Sequence, residues 1–282
     1  TRRSSDLLWE ANFGYSQNTH IIGVNQPLGQ MYGYVTDGLY QVSDFDYDAA
    51  TKTYTLKDGV PYAGEKGNVK PGMWKFKNID GSKDNKITEA DKTVIGNAYP
   101  KIYGGINNTF TYKDFDLSIF LTYSIGNDVF NATKLTNTKT ALQNKNVLAV
   151  ADSKHRWVLV NKAGDLITDP QEMADINKGK TVAAIYDNEA GDTYIHSWAV
   201  EDGSFLKLSN ITLGYTFPKK MIRKVGLSKL RLYATGSNLL TWTKYSGFDP
   251  EVSTMGNGLT PGVDFGAYPR SRAFVFGINL AF

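Results

Sequence analysis

The sequence has no cysteine, which excludes disulfide frameworks, thiolate metal sites and cysteine nucleophiles together. Histidine is nearly as scarce: His20, His155 and His196 are the whole supply, and none has a second histidine at metal-ligand spacing. No run approaches the ~18 consecutive apolar residues of a membrane-crossing helix, so only strands are left as elements able to span a bilayer. Nor is there an excess of one charge. With 31 basic and 28 acidic residues in 282 the net charge is +3, and no stretch interleaves Lys and Arg with aromatics as a nucleic-acid surface does, so no nucleic-acid partner is expected. The first residues, TRRSSDLLWE, hold a basic pair without an apolar core or a small-residue cleavage site. They are not a signal peptide, and the chain reads either as cytosolic or as beginning inside something longer.

What is present is alternation with period two. Residues 7 to 16 set Leu7, Trp9, Ala11, Phe13 and Tyr15 on one face. Residues 102 to 112 repeat the pattern with Ile102, Ile106, Phe110 and Tyr112, broken only by Asn108, and residues 115 to 124 with Phe115, Leu117, Ile119, Leu121 and Tyr123. Residues 205 to 217 follow with Ile211, Leu213, Tyr215 and Phe217, and residues 229 to 241 with Leu230, Leu232 and Ala234. The last run, 273 to 282, places Phe274, Phe276, Ile278, Leu280 and Phe282 together. From Asn238 to Trp242 the alternation fails, which predicts a bulge.

Half-apolar strands suit either a soluble sandwich or a transmembrane barrel. The connections alternate short and long: 112–114 and 218–228 are brief, whereas 17–101, 125–204 and 242–272 are extended. Barrels of the outer membrane show that parity, with short periplasmic turns and long extracellular loops; a sandwich has no reason for it. Aromatics near strand ends, among them Trp9, Tyr15, Tyr112, Phe115, Tyr123, Tyr215, Phe217 and Phe282, fit an interfacial girdle. The expected fold is therefore all-β, an antiparallel transmembrane barrel segment. Six strands do not close a barrel, since the smallest single-chain examples have about eight.

Five ordered blocks then carry a resemblance: MYGYVTDGLYQ (31–41), GNAYPKIYGGINNTFTYKDFDLSIFLTYSIGNDVFNATK (96–134), VEDGSFLKLSNITLGYTFPK (200–219), LRLYATGSNLLTWTKYSGFDPEVS (230–253) and YPRSRAFVFGINLAF (268–282). Together they resemble the C-terminal third of SusC/RagA-type TonB-dependent outer-membrane transporters of Bacteroidota. The resemblance implies residues 1–282 to be part of a barrel of about 22 strands. It also implies a plug domain and TonB box lying outside this chain, and a SusD-like lipoprotein capping the mouth. The activity implied is import of oligosaccharides or oligopeptides, driven by the TonB–ExbB–ExbD machinery, without bond chemistry. Phe282 would be the terminal aromatic signal read by the barrel-assembly machinery.

No catalytic constellation competes with that reading. Glu89 with Asp91, or Glu201 with Asp202, are near neighbours in sequence and more simply solvated loop residues. His196 beside Ser197 and Asp192 lacks the spatial definition of a triad. One metal-like motif does stand out, IDGSKDNKITEAD at 79–91. Counted as a calcium loop, its ligand positions are Asp80, Ser82, Asp84, the Lys86 carbonyl, Thr88 and Asp91, with Ile87 as the anchor to the fold. Asn85 replaces the usual Gly, neutral Ser82 lowers the ligand charge, and Asp91 is shorter than the usual Glu; the alternative is a polar Asx-rich turn. Among loop aromatics, Trp74, Trp157, Trp198, Trp242, Tyr245 and Phe248 are candidates for substrate or partner contact through their ring faces, with local packing as the alternative. A second reading of the whole remains: a β-rich surface module binding carbohydrate or protein, with a dockerin-like calcium loop and no transport role.

Overall fold

The alternating runs become five long strands: β1 (Ile102–Tyr112), β2 (Phe115–Ile125), β3 (Phe205–Thr216), β4 (Lys229–Thr243) and β5 (Ala273–Ala281). They lie in one antiparallel sheet in the order β1-β2-β3-β4-β5. The computed structural model describes residues 7–12, 16–138, 146–186, 194–254 and 258–282. Within them the chain divides into two compact units, and the sheet forms the second: residues 98–129, 201–252 and 267–282.

Each strand is rich in β-branched and aromatic residues, the types that pack best on a pleated surface. The two short connections close the same end of the sheet. One is the turn Lys113-Asp114 between Tyr112 and Phe115. The other is a short helix, Lys219–Ile222, between β3 and β4. At that end Ser228 also donates its backbone N–H to the Ala281 carbonyl at 2.7 Å. The predicted irregularity is present: Leu208 faces Leu240 and Asn210 faces Ser237, so Asn238 and Leu239 of β4 oppose the lone Ser209 of β3. Asn238 takes a left-handed φ of 54° there.

The first unit, residues 1–97, 130–200 and 253–266, holds most of the long connecting segments. Segments 17–101 and 125–204 carry short strands and helices around a core of their own. Strands Leu7–Asn12, Ser16–Ile22, Gln30–Gly33 and Thr93–Asn97 make a four-stranded sheet, so the first expected strand turns back at once into a second; residues 13–15 and the side chains of that first strand lie outside the description. Helix Pro170–Ile176 starts where Asp169 accepts the Glu172 N–H at 2.8 Å with Pro170 at the first helical position, a pairing that leaves few N-terminal donors unmet. The core gathers Tyr34, Trp74, Phe76, Ile87, Trp157 and Met173 with smaller neighbours. A satellite cluster of Tyr40, Phe45, Leu56 and Val69 lies under the hairpin Phe45–Asp48/Thr53–Leu56.

Candidate functional site: a two-faced sheet and its connecting segments

Register places most of the apolar residues of all five strands on one face. The row Phe110–Leu117–Leu213–Ala234–Phe276 crosses the whole sheet, and the row Ile106–Leu121–Leu208–Leu240 runs parallel to it. These side chains are open: Phe276 is 80% exposed, Ile278 64%, Phe110 57% and Leu213 51%. A contiguous apolar face of this extent is incompatible with water as its solvent. The bulge keeps that face intact. Without it, the strict period that puts Ile211 and Leu213 outward would put Ser209 and Lys207 outward too. With it, Leu206 and Leu208 take the apolar face and Lys207 crosses to the other.

The opposite face is polar and internally bonded. Thr212 pairs with Thr235 at 2.8 Å, the Ser237 hydroxyl donates to Asn210 at 2.7 Å, and Thr122 pairs with Ser209 at 2.7 Å. Arg231 of β4 reaches over β3 to Asp116 of β2 with two bonds, of 3.1 and 2.5 Å. The residue beneath is Gly214, where a Cβ would overlap both the guanidinium and the carboxylate. Strands apolar toward one solvent and polar toward the other, about 9–11 residues or slightly more in length, define a transmembrane β-barrel wall.

At the far end from the short turns, the segment after β4 is fastened at two points. Glu201 accepts both the backbone N–H and the hydroxyl of Ser246, each at 2.8 Å. Glu251 accepts from Lys207 at 2.6 Å, and Arg270 adds contacts of 3.2 Å to Glu251 and 3.7 Å to Asp249. Phe248 lies between the fastenings and is 80% exposed. Sequence reasoning missed Lys207, Glu251 and Arg270; the readable signal was the phase slip in FLKLSNIT, residues 205–212, which only a bulge reconciles.

The other predicted contact residues separate by burial. Trp157 is 1% exposed in the first unit's core, its indole pressed on Gly72, whose φ of +88° and missing Cβ make room for the ring. Packing accounts for it, as it does for buried Trp74 and Tyr245. Trp198 is partly buried, its ring 4.9 Å from that of Trp74 and beneath the Lys134 ammonium at 4.2 Å. Trp242 pairs with Leu206 on the apolar face, which makes it a girdle residue at the strand end. His196 is enclosed by Trp74, Phe76 and Trp198, with Nδ1 2.9 Å from the Thr36 hydroxyl; Asp192 lies outside the described residues. Phe282 is exposed at the short-turn end, its carbonyl accepting from the Ser228 hydroxyl at 3.3 Å.

In the 79–91 loop Ile87 is buried as the anchor, and Asn85 holds a left-handed φ of 56°. Asp91 is also buried, and its carboxylate accepts the backbone N–H groups of Ile79 at 2.7 Å, Asp80 at 3.2 Å and Thr88 at 2.8 Å. Asp80 accepts from the Ser82 N–H, and Asp84 from the Lys86 N–H, the latter bond holding the Asp84 carboxyl below its ordinary range. Thr88 caps the following turn through the Ala90 N–H. The fit to calcium is partial, because among the described residues no group of three or more His, Asp or Glu side chains converges on one point.

No family model matches the chain. Over 94% of its length it is 30% identical to the TonB-dependent receptor P3 of Formosa agariphila, covering 23% of that protein. Over 95% it is 29% identical to receptor P39 of the same organism, covering 26%. The TonB-dependent receptor SusC of Bacteroides thetaiotaomicron is 28% identical over 72% of the chain, covering 17%. The solved RagAB peptide transporter superposes with a TM-score of 0.56 over 99% of this chain and 24% of that one, at 21% identity, a likeness of fold. Over nearly its whole length the chain is similar to TonB-dependent receptors of the SusC type, and it spans about a quarter of the length of the curated relatives it matches. The soluble-module reading finds no support among these relatives and leaves the apolar face uncovered.

Proposed function

We propose that this chain forms part of the wall and the outer connecting segments of an outer-membrane importer. Its cargo is an oligosaccharide or oligopeptide too large for diffusion pores, and its energy comes from the TonB–ExbB–ExbD machinery acting on parts of the receptor outside this stretch. A SusD-like lipoprotein works with it, and no substrate bond changes. The observation that carries this is the open apolar face, with the long segments all leaving the sheet from one end; the named relatives support it. The carboxylates of Asp91 and Glu201 hold backbone amides. Cells carrying the full-length receptor are expected to place it in the outer membrane and to take up fluorescent oligosaccharide or oligopeptide only while TonB is present. Uptake indifferent to TonB would defeat the proposal.

For the 80–91 loop we propose calcium as a structural ligand of low affinity. Asp80, Ser82, Asp84, the Lys86 carbonyl and Thr88 offer oxygens in the required order, while Asp91 must share its carboxylate with three amides. Titration calorimetry with calcium should give heat for the parent and none for Asp80→Ala or Asp84→Ala; equal heats would sink the idea. For Phe282 we propose the assembly signal, tested by loss of outer-membrane insertion in Phe282→Ser.

A further inference from the structure

Between Asp202 and Asp249 the sequence has no acidic residue. Five of the basic residues in that interval crowd the connection from β3 to β4: Lys219, Lys220, Arg223, Lys224 and Lys229. All five are exposed, and none forms an ion pair among the described residues. The neighbouring short turn adds Lys113 and a single acid, Asp114. Like charges left this close without partners repel one another and attract an anion that would balance them.

Two apolar residues share the surface. Met221 is 60% exposed and Val225 70%, four positions apart across the helix Lys219–Ile222 and the turn Arg223–Val225, while Ile222 points inward and is buried. The connection ends on Gly226, whose φ of 78° stops the helix, and the Leu227 N–H closes it on the Ile222 carbonyl at 3.2 Å. The surface therefore has a fixed shape. It follows directly on a strand with an apolar face: β3 runs out through Tyr215 and Phe217, ring centroids 4.9 Å apart, into Pro218 and Lys219. Cations beside exposed Met and Val, one step beyond an aromatic girdle, match the headgroup layer, where apolar side chains enter the acyl boundary and ammonium groups meet phosphates.

We propose that the connection 219–229 is a docking surface for anionic phospholipid headgroups in the leaflet at the short-turn end of the sheet. This rests on the membrane-spanning reading of the sheet and is independent of cargo. Met221 and Val225 bury at the boundary, and Lys219, Lys220, Arg223 and Lys224 hold phosphate from the water side.

The test uses the full-length receptor extracted in mild detergent and exchanged with phosphatidylglycerol or phosphatidylcholine, with bound lipids counted by native mass spectrometry. The parent should retain phosphatidylglycerol preferentially. The variant with Lys219, Lys220, Arg223 and Lys224 all changed to Gln should lose that preference by roughly fivefold for each cation removed at low salt, and raising the salt should erase the difference. Equal phosphatidylglycerol retention by parent and variant overturns the proposal, including the case in which an acidic protein takes the surface instead. Flotation of both proteins with neutral vesicles reads the spanning sheet separately, so failure of the membrane reading shows as loss of flotation in the parent itself.

Discussion

At the scale of single residues, burial decides roles that composition leaves open. Trp157 and Phe248 look alike as loop aromatics in the sequence, yet one is enclosed and the other stands free. Trp157→Ala should cost about 3–5 kcal/mol in the stability of the first unit, by the cavity it leaves. Phe248→Ala should change stability by under about 0.5 kcal/mol and instead lower uptake by the receptor; denaturant midpoints and transport assays separate the two. Gly214→Ala should destabilise the sheet by about 1–3 kcal/mol, because the new methyl meets the Asp116–Arg231 pair. The cost should shrink when Arg231 is replaced by Met, which a double-mutant cycle measures. His20 is enclosed in the strand Ser16–Ile22, bonded to the Thr19 hydroxyl at 2.8 Å and the Pro261 carbonyl at 3.0 Å, and burial lowers its pKa to about 4. The folded ring stays neutral while the unfolded one takes a proton below about pH 6.5, so stability falls as pH drops from 6.5 to 4, by about 3 kcal/mol in full. Hydrogen-exchange protection around His20 should follow that curve, and His20→Gln should flatten it.

Among elements, the five long strands were legible almost to the residue because one alternation marks most of each, slipping only around the bulge shared by β3 and β4. The strands of the first unit were not. They span two to seven residues, too few for a period to declare itself, and their core joins Trp74, Trp157 and Met173 across about a hundred positions. The bulge was legible as a place but not as a device: its purpose shows only once Lys207 is seen turned from the lipid side toward Glu251. That pair makes the segment after β4 an extension of the strand. Glu251→Ala leaves a nearly buried ammonium unmatched and should cost about 3 kcal/mol, with proteolysis appearing first between residues 244 and 252. Replacing both partners, Lys207→Met with Glu251→Leu, should restore most of the stability. Loss of the same size in the double variant would show that Lys207 contributes through something other than this pair.

For the whole molecule, the fold class sets a demand that this stretch does not meet by itself. Among the described residues β1 and β5 each have one edge without a strand partner, and hydrocarbon offers no hydrogen bonds to an open edge. Strands from other parts of the receptor must flank them, as the quarter-length match to its relatives allows. The same reasoning gives a test that separates a membrane wall from any soluble sheet. Along β2, Phe115, Ile119 and Tyr123 share the apolar face at one end, the middle and the other end, and Asn107 stands on the polar face across from Phe120. In a bilayer, a lysine at Ile119 meets the centre of the hydrocarbon and should cost about 2–4 kcal/mol, whereas lysine at Phe115 or Tyr123 reaches the headgroups and should cost under about 1. Lysine at Asn107 faces water in the lumen and should cost less still. Folding of the four variants into vesicles, followed by denaturant titration, reads this profile. A cost peaked at Ile119 is the signature of depth in lipid, and equal costs at the three positions would remove β2 from the membrane.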